Sequence, residues 1–447
     1  MFVGIGVGVH RQRFAGSFAT SYSSRVIADG GTIEALTCVA AASSLLQSAS
    51  LLIIPSGYKA GVAYAELPAN GNGDLTWSRN SVANRTQSNG NIGSVAANVP
   101  RLSYMYGSCP ALLLEPQRTN LLLQSEDLTT ASWVKSDVTA TANSIVAPDG
   151  NTTADTLTAT ASTGVHNVSN GSHTATTTTA SIYAKKGTHN FLQIYSGTSS
   201  QAFANFNLNT GVVGTFGTLA TASIQNVGNG WYRCIVTITS PSSGSTFRWA
   251  MVTSASAVYA ESWTATGSEN LYLWGGQVEA GAYATTYIST TSATATRLED
   301  SFTRNNIYTN GLISASGGTW YVELRNNVSY LRDVASEPLE LGDAGVNNGF
   351  FIRPSSVSSR LFITKRQSGV LSTLFTTTTD TVKIAIKWNG TSADVFVNGV
   401  KQVSATAFTT TIMENLNGRG NAVPIFIQAM ALYPTPLSDA DCQTLTT

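Results

Sequence analysis

Short runs of β-forming residues, each stopped by a turn signal, recur along most of this chain. Residues 177–184, 190–195, 202–207, 231–239, 247–252 and 270–279 form one set. Residues 319–324, 349–352, 361–364, 381–388, 393–397 and 425–432 form another. Runs this short and this closely spaced predict a mainly β chain of antiparallel sandwiches. Trp231–Thr239 shows the period most clearly. Alternate side chains of a strand point to opposite faces. Tyr232, Cys234, Val236 and Ile238 therefore share an apolar face, and Arg233, Ile235, Thr237 and Thr239 a mostly polar one. Asn398-Gly399, between Val397 and Val400, marks a hairpin, because these residues accept the positive φ of a type I′ turn. Residues 437–445 (LSDADCQTL) offer Ser438 as a cap ahead of acidic residues, which predicts a short helix.

The surface of such sandwiches must be made polar with little help from charge. Charged residues are 11% of the 447, against roughly 25% in an average globular chain. Ser, Thr, Asn and Gly supply the remainder, a surface suited to neutral sugars through hydroxyls and amides. Lys plus Arg number 25 and Asp plus Glu 25, so the formal net charge is zero. There is no electrostatic case for nucleic acid or an acidic membrane as partner. A surface with so little charge is also prone to association. No stretch of roughly 18 apolar residues is present to span a bilayer. Residues 2–9 are apolar, but Arg11 and Arg13 follow them, the reverse of a secretory signal. The expectation is a protein made in a bacterial cytoplasm and released by lysis. Cys38, Cys109, Cys234 and Cys442 are far apart and make no CxxC pair, which predicts buried free thiols.

The length allows two or three domains. Residues 1–14 alternate Val or Ile with Gly, which predicts an extended arm stable only when paired with something else. Residues 32–53 carry the one clear helix pattern. Thr32 caps it, Ile33, Leu36, Val39, Leu46 and Ala49 line one side, and Pro55 ends it. Its thin stripe suits either a three-fold axis or the next domain. The division that follows is residues 1–55 as arm and helix, 56–120 as an irregular connecting region closed by a buried strand at 111–114, 121–300 as one sandwich and 301–447 as another.

Residues 111–134 (ALLLEPQRTNLLLQSEDLTTASWV), 229–233 (NGWYR) and 271–300 (LYLWGGQVEAGAYATTYISTTSATATRLED) resemble the opening, middle and closing segments of a module of phage fibre, head-spike and tail proteins. Glu115, Arg118, Trp231, Trp274, Gln277, Glu279, Arg297 and Asp300 carry the resemblance. It implies a jelly-roll sandwich like those of carbohydrate-binding modules, without assigned catalysis. Residues 383–390 (KIAIKWNG), 393–399 (ADVFVNG) and 431–445 resemble a concanavalin A-like or laminin G-like sandwich. The first 60 residues resemble arms that attach such fibres to virions.

Sugar sites use an aromatic face for the apolar side of the ring and amides or carboxylates for its hydroxyls. Trp133 and Trp263 sit in Ser/Thr-rich stretches and Trp388 at a strand end, so these are the candidate sugar contacts. Trp231 and Trp274 are expected in the core. Glu115 and Arg118 are expected to form an ion pair that pins the opening strand. Gln277 and Glu279 point the same way from one strand, towards a buried loop. His166 and His173 are expected in solvent, and no histidine shows metal-ligand spacing. Asp149 and Asp155, in a turn rich in oxygen ligands, admit calcium; the same residues make an ordinary Asx turn. No other cofactor is indicated, and no catalytic residue is named.

These observations predict a non-enzymatic virion surface fibre on a phage head or tail. It would dock on capsid or tail proteins through residues 1–55, form a homotrimer, and bind host-surface glycans. The alternatives are a capsid decoration that binds no sugar and a capsular-polysaccharide depolymerase, followed by a secreted bacterial lectin.

Overall fold

The computed structural model describes residues 9–40, 42–173, 177–197, 199–239, 245–325, 337–345, 347–354, 360–379, 381–409, 412–421 and 423–447. The chain is mainly β, with antiparallel sheets throughout. It forms two compact units. One comprises Asn89–Ser94 and Arg118–Arg297; the other takes the described residues of 1–88, 95–117 and 298–447. In chain order the first is inserted into the second.

Two six-stranded sheets build the inserted unit. One runs, in spatial order, Val134–Ser136, Asn167–His173, Ser245–Met251, Phe191–Ser196, Phe203–Asn207 and Val212–Phe216. The other runs Val138–Ile145, Ala154–Ala159, Asn270–Ala280, Thr177–Lys186, Trp231–Thr239 and Ala220–Gly228. Their inner faces share a core that includes Trp133, Trp249, Leu157, Ile182, Ile194, Phe206 and Leu273. Trp231–Thr239 is a strand with the bounds its alternation predicts, and Cys234, Val236 and Ile238 point into that core. Its polar face is covered too. Thr237 donates to the Ala282 carbonyl at 3.2 Å, and Arg233 to the Ser181 hydroxyl at 3.0 Å.

The discontinuous unit pairs a ten-stranded sheet with an eight-stranded one. Phe350 on the first meets Trp388 on the second at 5.3 Å between ring centroids, so aromatic rings fill the space between them. The stretches read from sequence as separate regions share these sheets. Leu51–Ile53 and Ala111–Leu114 both pair with Ile425–Tyr433, and Leu75–Ser78 pairs with Ser301–Asn305. Asn398 and Gly399 turn the predicted hairpin with φ of 47° and 79°. Ser438 caps the predicted helix, Asp439–Thr446, accepting from the Asp441 amide.

Three expectations are corrected here. The helix over 32–53 is not formed: those residues hold strand Thr32–Ile33, the short helix Leu36–Ala40, a 3-10 turn at Leu46–Ser48 and strand Leu51–Ile53. Sheet pairing of Leu51–Ile53 outweighs a helix propensity spread thinly over Ala and Ser. A helix instead occupies Val9–Ala28, so residues 9–14 are not extended; residues 1–8 lie outside the described residues. Ala19, Tyr22 and Val26 give it a buried face at helical spacing. Finally, Cys38 and Cys109 form a disulfide with a Cα separation of 5.8 Å, although 71 residues part them in sequence. Only the fold brings them within reach, and spacing alone held no trace of it. Cys234 and Cys442 are buried free thiols.

A buried charge network ties the segments of this unit together. Asp300 accepts from Arg79 at 3.0 Å, from Arg101, and from the Glu115 amide at 3.0 Å. Arg101 also donates to Glu115 at 2.6 Å. All four side chains are at most 2% exposed. Gly420 sits against this point: a Cβ there would fall 2.1 Å from the Glu115 carbonyl oxygen. Among the described residues, no helix is long and apolar enough to cross a membrane.

Candidate functional site

A polar cleft of about 330 Å³ opens on the inserted unit, lined by Gln124, Glu126, Asp127, Asn143, Thr153, Ser289, Thr290 and Thr291. Its floor is set by local pairing of two distant segments. Asn120, fully buried, donates to the carbonyls of Gly276 and Ile288 at 3.0 and 2.8 Å and accepts from the amides of Leu122 and Val278. Further on, the Gln124 amide donates to Thr291 at 2.7 Å, and the Thr290 amide to the Ser125 hydroxyl at 2.8 Å. Gln124 takes φ of 52°, a left-handed conformation that lets its carbonyl meet the indole N–H of Trp133 at 2.8 Å. Asp155 joins two walls, accepting from the amides of Leu128 and Asn143 at 2.7 and 2.9 Å.

Two carboxylates face this space. Glu126 accepts from the Tyr287 hydroxyl at 2.9 Å. Burial pushes its pKa up, with a smaller push from Asp149. Asp127 accepts from the Thr129 amide at 2.9 Å, which holds its turn. The cleft therefore presents hydroxyls, amides and carboxylate oxygens, with no aromatic ring among its lining residues.

The structure removes two of the three sugar-stacking candidates. Trp133 and Trp388 are each 1% exposed, so neither indole face is open to a ligand. Trp133 packs at 5.1 Å on Trp249. Trp263 is half-buried, but His189 lies parallel to it at 5.4 Å and His166 tilts against it at 4.6 Å. His166 is fully buried rather than in solvent, held by the carbonyls of Asp137 and Trp263. His173 lies outside the residues whose side chains are described.

The other singled-out residues are packed or bonded. Trp231 is buried, its indole donating to Val146 at 3.1 Å. Trp274 packs between Tyr183 and Tyr287 at 5.4 and 4.7 Å. Gln277 donates to Glu279 at 2.6 Å and accepts from the Ile288 amide at 2.7 Å. Glu279 accepts from the Thr285 amide at 3.0 Å, and Arg297 donates to the hydroxyls of Thr285 and Thr286. These side chains hold the loop after strand Asn270–Ala280. Arg118 donates to the Tyr283 hydroxyl at 2.9 Å, and Glu115 belongs to the buried network. Asp149 caps its own turn through the Asn151 amide, and both Asp155 oxygens are taken by backbone amides. Among the described residues no three His, Cys, Asp or Glu side chains group to hold a metal ion.

Six of the eight cleft residues lie inside the motif segments, in QSED at 124–127 and STT at 289–291, and Asn143 and Thr153 lie outside them. Nothing in a chain so rich in Ser, Thr and Asn marks them out; the pairing of 120–125 with 288–291 and the bonds of Asp155 to Leu128 and Asn143 assemble them.

No protein-family model matches the chain, and no curated protein matches it. Several solved structures are similar over part of it. A structure of botulinum neurotoxin type C, whose cell entry depends on interaction with two ganglioside molecules, shares 12% identity at a TM-score of 0.27; the likeness covers 33% of this chain and 39% of that one. Domain 4 of a GH43 extracellular arabinanase from Geobacillus stearothermophilus, solved with arabinotriose, shares 14% identity at a TM-score of 0.26, over 37% of this chain and 84% of that one. A tandem CBM22 domain from Paenibacillus barcinonensis Xyn10C shares 9% identity at a TM-score of 0.23, over 72% and 99%. Likenesses at this level assign neither a family nor a ligand to the chain.

Proposed function

We propose that this protein is a non-enzymatic phage virion surface fibre whose inserted sandwich binds a host-surface glycan in the cleft at Glu126. The observation that carries the reading is the cleft's lining, made entirely of hydroxyl, amide and carboxylate side chains. Such groups match the hydroxyls of a sugar, and the volume lies at the small end of ligand sites. Without an aromatic platform each site binds weakly, and display of many copies on a particle multiplies the effect. The resemblance of residues 111–134 and 271–300 to phage fibre modules supports the virion setting, and the Cys38–Cys109 disulfide suits a protein working outside a reducing compartment.

Docking to capsid or tail proteins through residues 1–55 is part of this reading; of these, Ala19, Tyr22, Val26, Val39 and Leu52 are taken up in the unit's own core. Assembly as a homotrimer belongs to the same proposal, and light scattering checks it. A glycan array read with the wild type and Thr291→Trp tests the binding. Binding to at least one bacterial-surface glycan that the added indole abolishes supports the reading; a blank array, or binding indifferent to the indole, overturns it. Purified capsular polysaccharide should keep its viscosity on incubation with the protein.

A further inference from the structure

One sheet of the inserted unit turns a face away from the core. Across it, Val134, Ser169, Arg248, Tyr195 and Phe203 stand side by side on five neighbouring strands. A loop closes over the far end of this row. Gln193 and Asn205, both fully buried, hold it from below. Gln193 donates to the Val258 carbonyl at 2.9 Å and accepts from the Ala260 amide at 2.7 Å, and Asn205 donates to the Ala257 carbonyl at 2.7 Å. Ala260 is kept at φ of 50°, a strained state for a residue with a Cβ, which persists only where surrounding contacts impose it. The loop so fixed places Tyr259 against Tyr195 at 5.0 Å and Phe203 at 6.1 Å, its hydroxyl donating to the Ser196 carbonyl at 3.0 Å.

Arg248 lies in the middle of the row, half-buried, its guanidinium 5.7 Å from the Tyr195 ring centroid. Gly197 lies beside the guanidinium, where a Cβ would fall 2.1 Å from Nη1. No ion pair or hydrogen bond engages this guanidinium among the described residues. Burial raises the phenol pKa of Tyr195 to about 12 and raises that of Tyr259, so both stay neutral and Arg248 carries the local charge unopposed. The cleft at Glu126 shares none of these residues.

We propose that this face is a second subsite, selective for a carboxylate-bearing sugar such as a uronic acid. Arg248 pairs with the carboxylate through two parallel N–H donors, a geometry that a planar guanidinium fits and an ammonium does not. Tyr259 offers its ring to the apolar side of the sugar. The subsite goes beyond the proposed cleft and stands even if the cleft takes no ligand.

Calorimetric titration of the full chain with sodium trigalacturonate tests it, with maltotriose and sodium sulfate as controls. The wild type should bind trigalacturonate and neither control comparably. Arg248→Gln should weaken binding by about tenfold or more, the loss of a hydrogen-bonded charge pair. Arg248→Lys, which keeps the charge and guards against a folding artefact, should weaken it by about threefold. Thr291→Trp in the cleft should leave it unchanged. Equal affinity in Arg248→Gln overturns the proposal. So does sulfate binding as tightly as trigalacturonate, which reduces the face to an adventitious ion site only, or loss of binding in Thr291→Trp with Arg248→Gln unaffected.

Discussion

The unit assembled from three stretches of chain is fastened by ion pairs and a disulfide, whereas the inserted unit, continuous from Arg118 to Arg297, is fastened by packing and neutral polar groups. In the discontinuous unit, Asp300 meets the Glu115 amide across 185 residues, and Arg79, Arg101 and Glu115 complete a network shut away from water. In the inserted unit, Trp133, Trp249 and their aliphatic neighbours fill the core. Its buried acids are answered by neutral donors: Asp155 by two backbone amides, Glu279 by Gln277 and Thr285. The difference follows chain topology. Bringing distant segments together carries a loop-closure penalty that a continuous fold largely avoids. A buried ion pair adds little net stability over an apolar substitute, but removing one partner strands the other. Such a network therefore specifies which segments meet more than it stabilises the fold. The inserted unit, nearly all of it one stretch of chain, has less such need, and its polar groups are free to shape binding surfaces.

The sharpest way to break this contrast is Asp300→Asn. It takes the carboxylate from buried Arg79 and one of two carboxylates from buried Arg101, which keeps Glu115, and should destabilise the discontinuous unit by about 3–5 kcal/mol. Hydrogen exchange should quicken in strands Ser301–Asn305 and Asn415–Arg419, with strand Trp231–Thr239 little changed. Equal loosening of both units would dissolve the contrast. Next in size is the pair Cys38→Ser and Cys109→Ser, which should lower stability by about 2–4 kcal/mol. A dithiol reductant should lower the melting temperature of the wild type to match, and leave the double variant unmoved.

A pH effect sharpens the same comparison. Glu66, in the discontinuous unit, accepts from the Ile54 amide at 2.6 Å and from Ser56 at 2.8 Å, yet burial raises its pKa from 4.5 to about 8. The folded state then holds a proton that the unfolded state has released. The contribution of Glu66 to stability is fully present below about 4.5 and is lost as pH rises through about 8. Glu66→Gln should flatten that decline in denaturant melts followed between those limits. The smallest effect is expected in the cleft. Glu126→Gln should change stability by less than about 1 kcal/mol while weakening glycan binding by several-fold, a loss of roughly the size of one charge-assisted hydrogen bond.

Signals that are local were legible in the sequence. Alternation placed Trp231–Thr239, Asn398-Gly399 placed the hairpin, and Ser438 placed the helix Asp439–Thr446. Signals that need the whole fold were not. Helix Val9–Ala28 carries four Ser and a Gly and is supported by burial of Ala19, Tyr22 and Val26. The Cys38–Cys109 link depends on segments 71 residues apart. Trp133 sits among Thr and Ser and Trp388 beside Asn-Gly, polar surroundings that suggest exposure, yet both indoles turn inward. The cleft and the Arg248 face were illegible for the same reason, since each is assembled across strands from residues ordinary in this composition.

Hydrogen–deuterium exchange of the full chain, with and without a glycan that the array identifies, tests the assignment of binding to the inserted unit most directly. Slowed exchange at residues 121–129, 143–153 and 289–291, with strands Ser301–Asn305 and Asn415–Arg419 unchanged, is the predicted result. Slowing confined to the discontinuous unit would contradict it and move the binding surface to the part of the molecule that this account assigns to scaffolding.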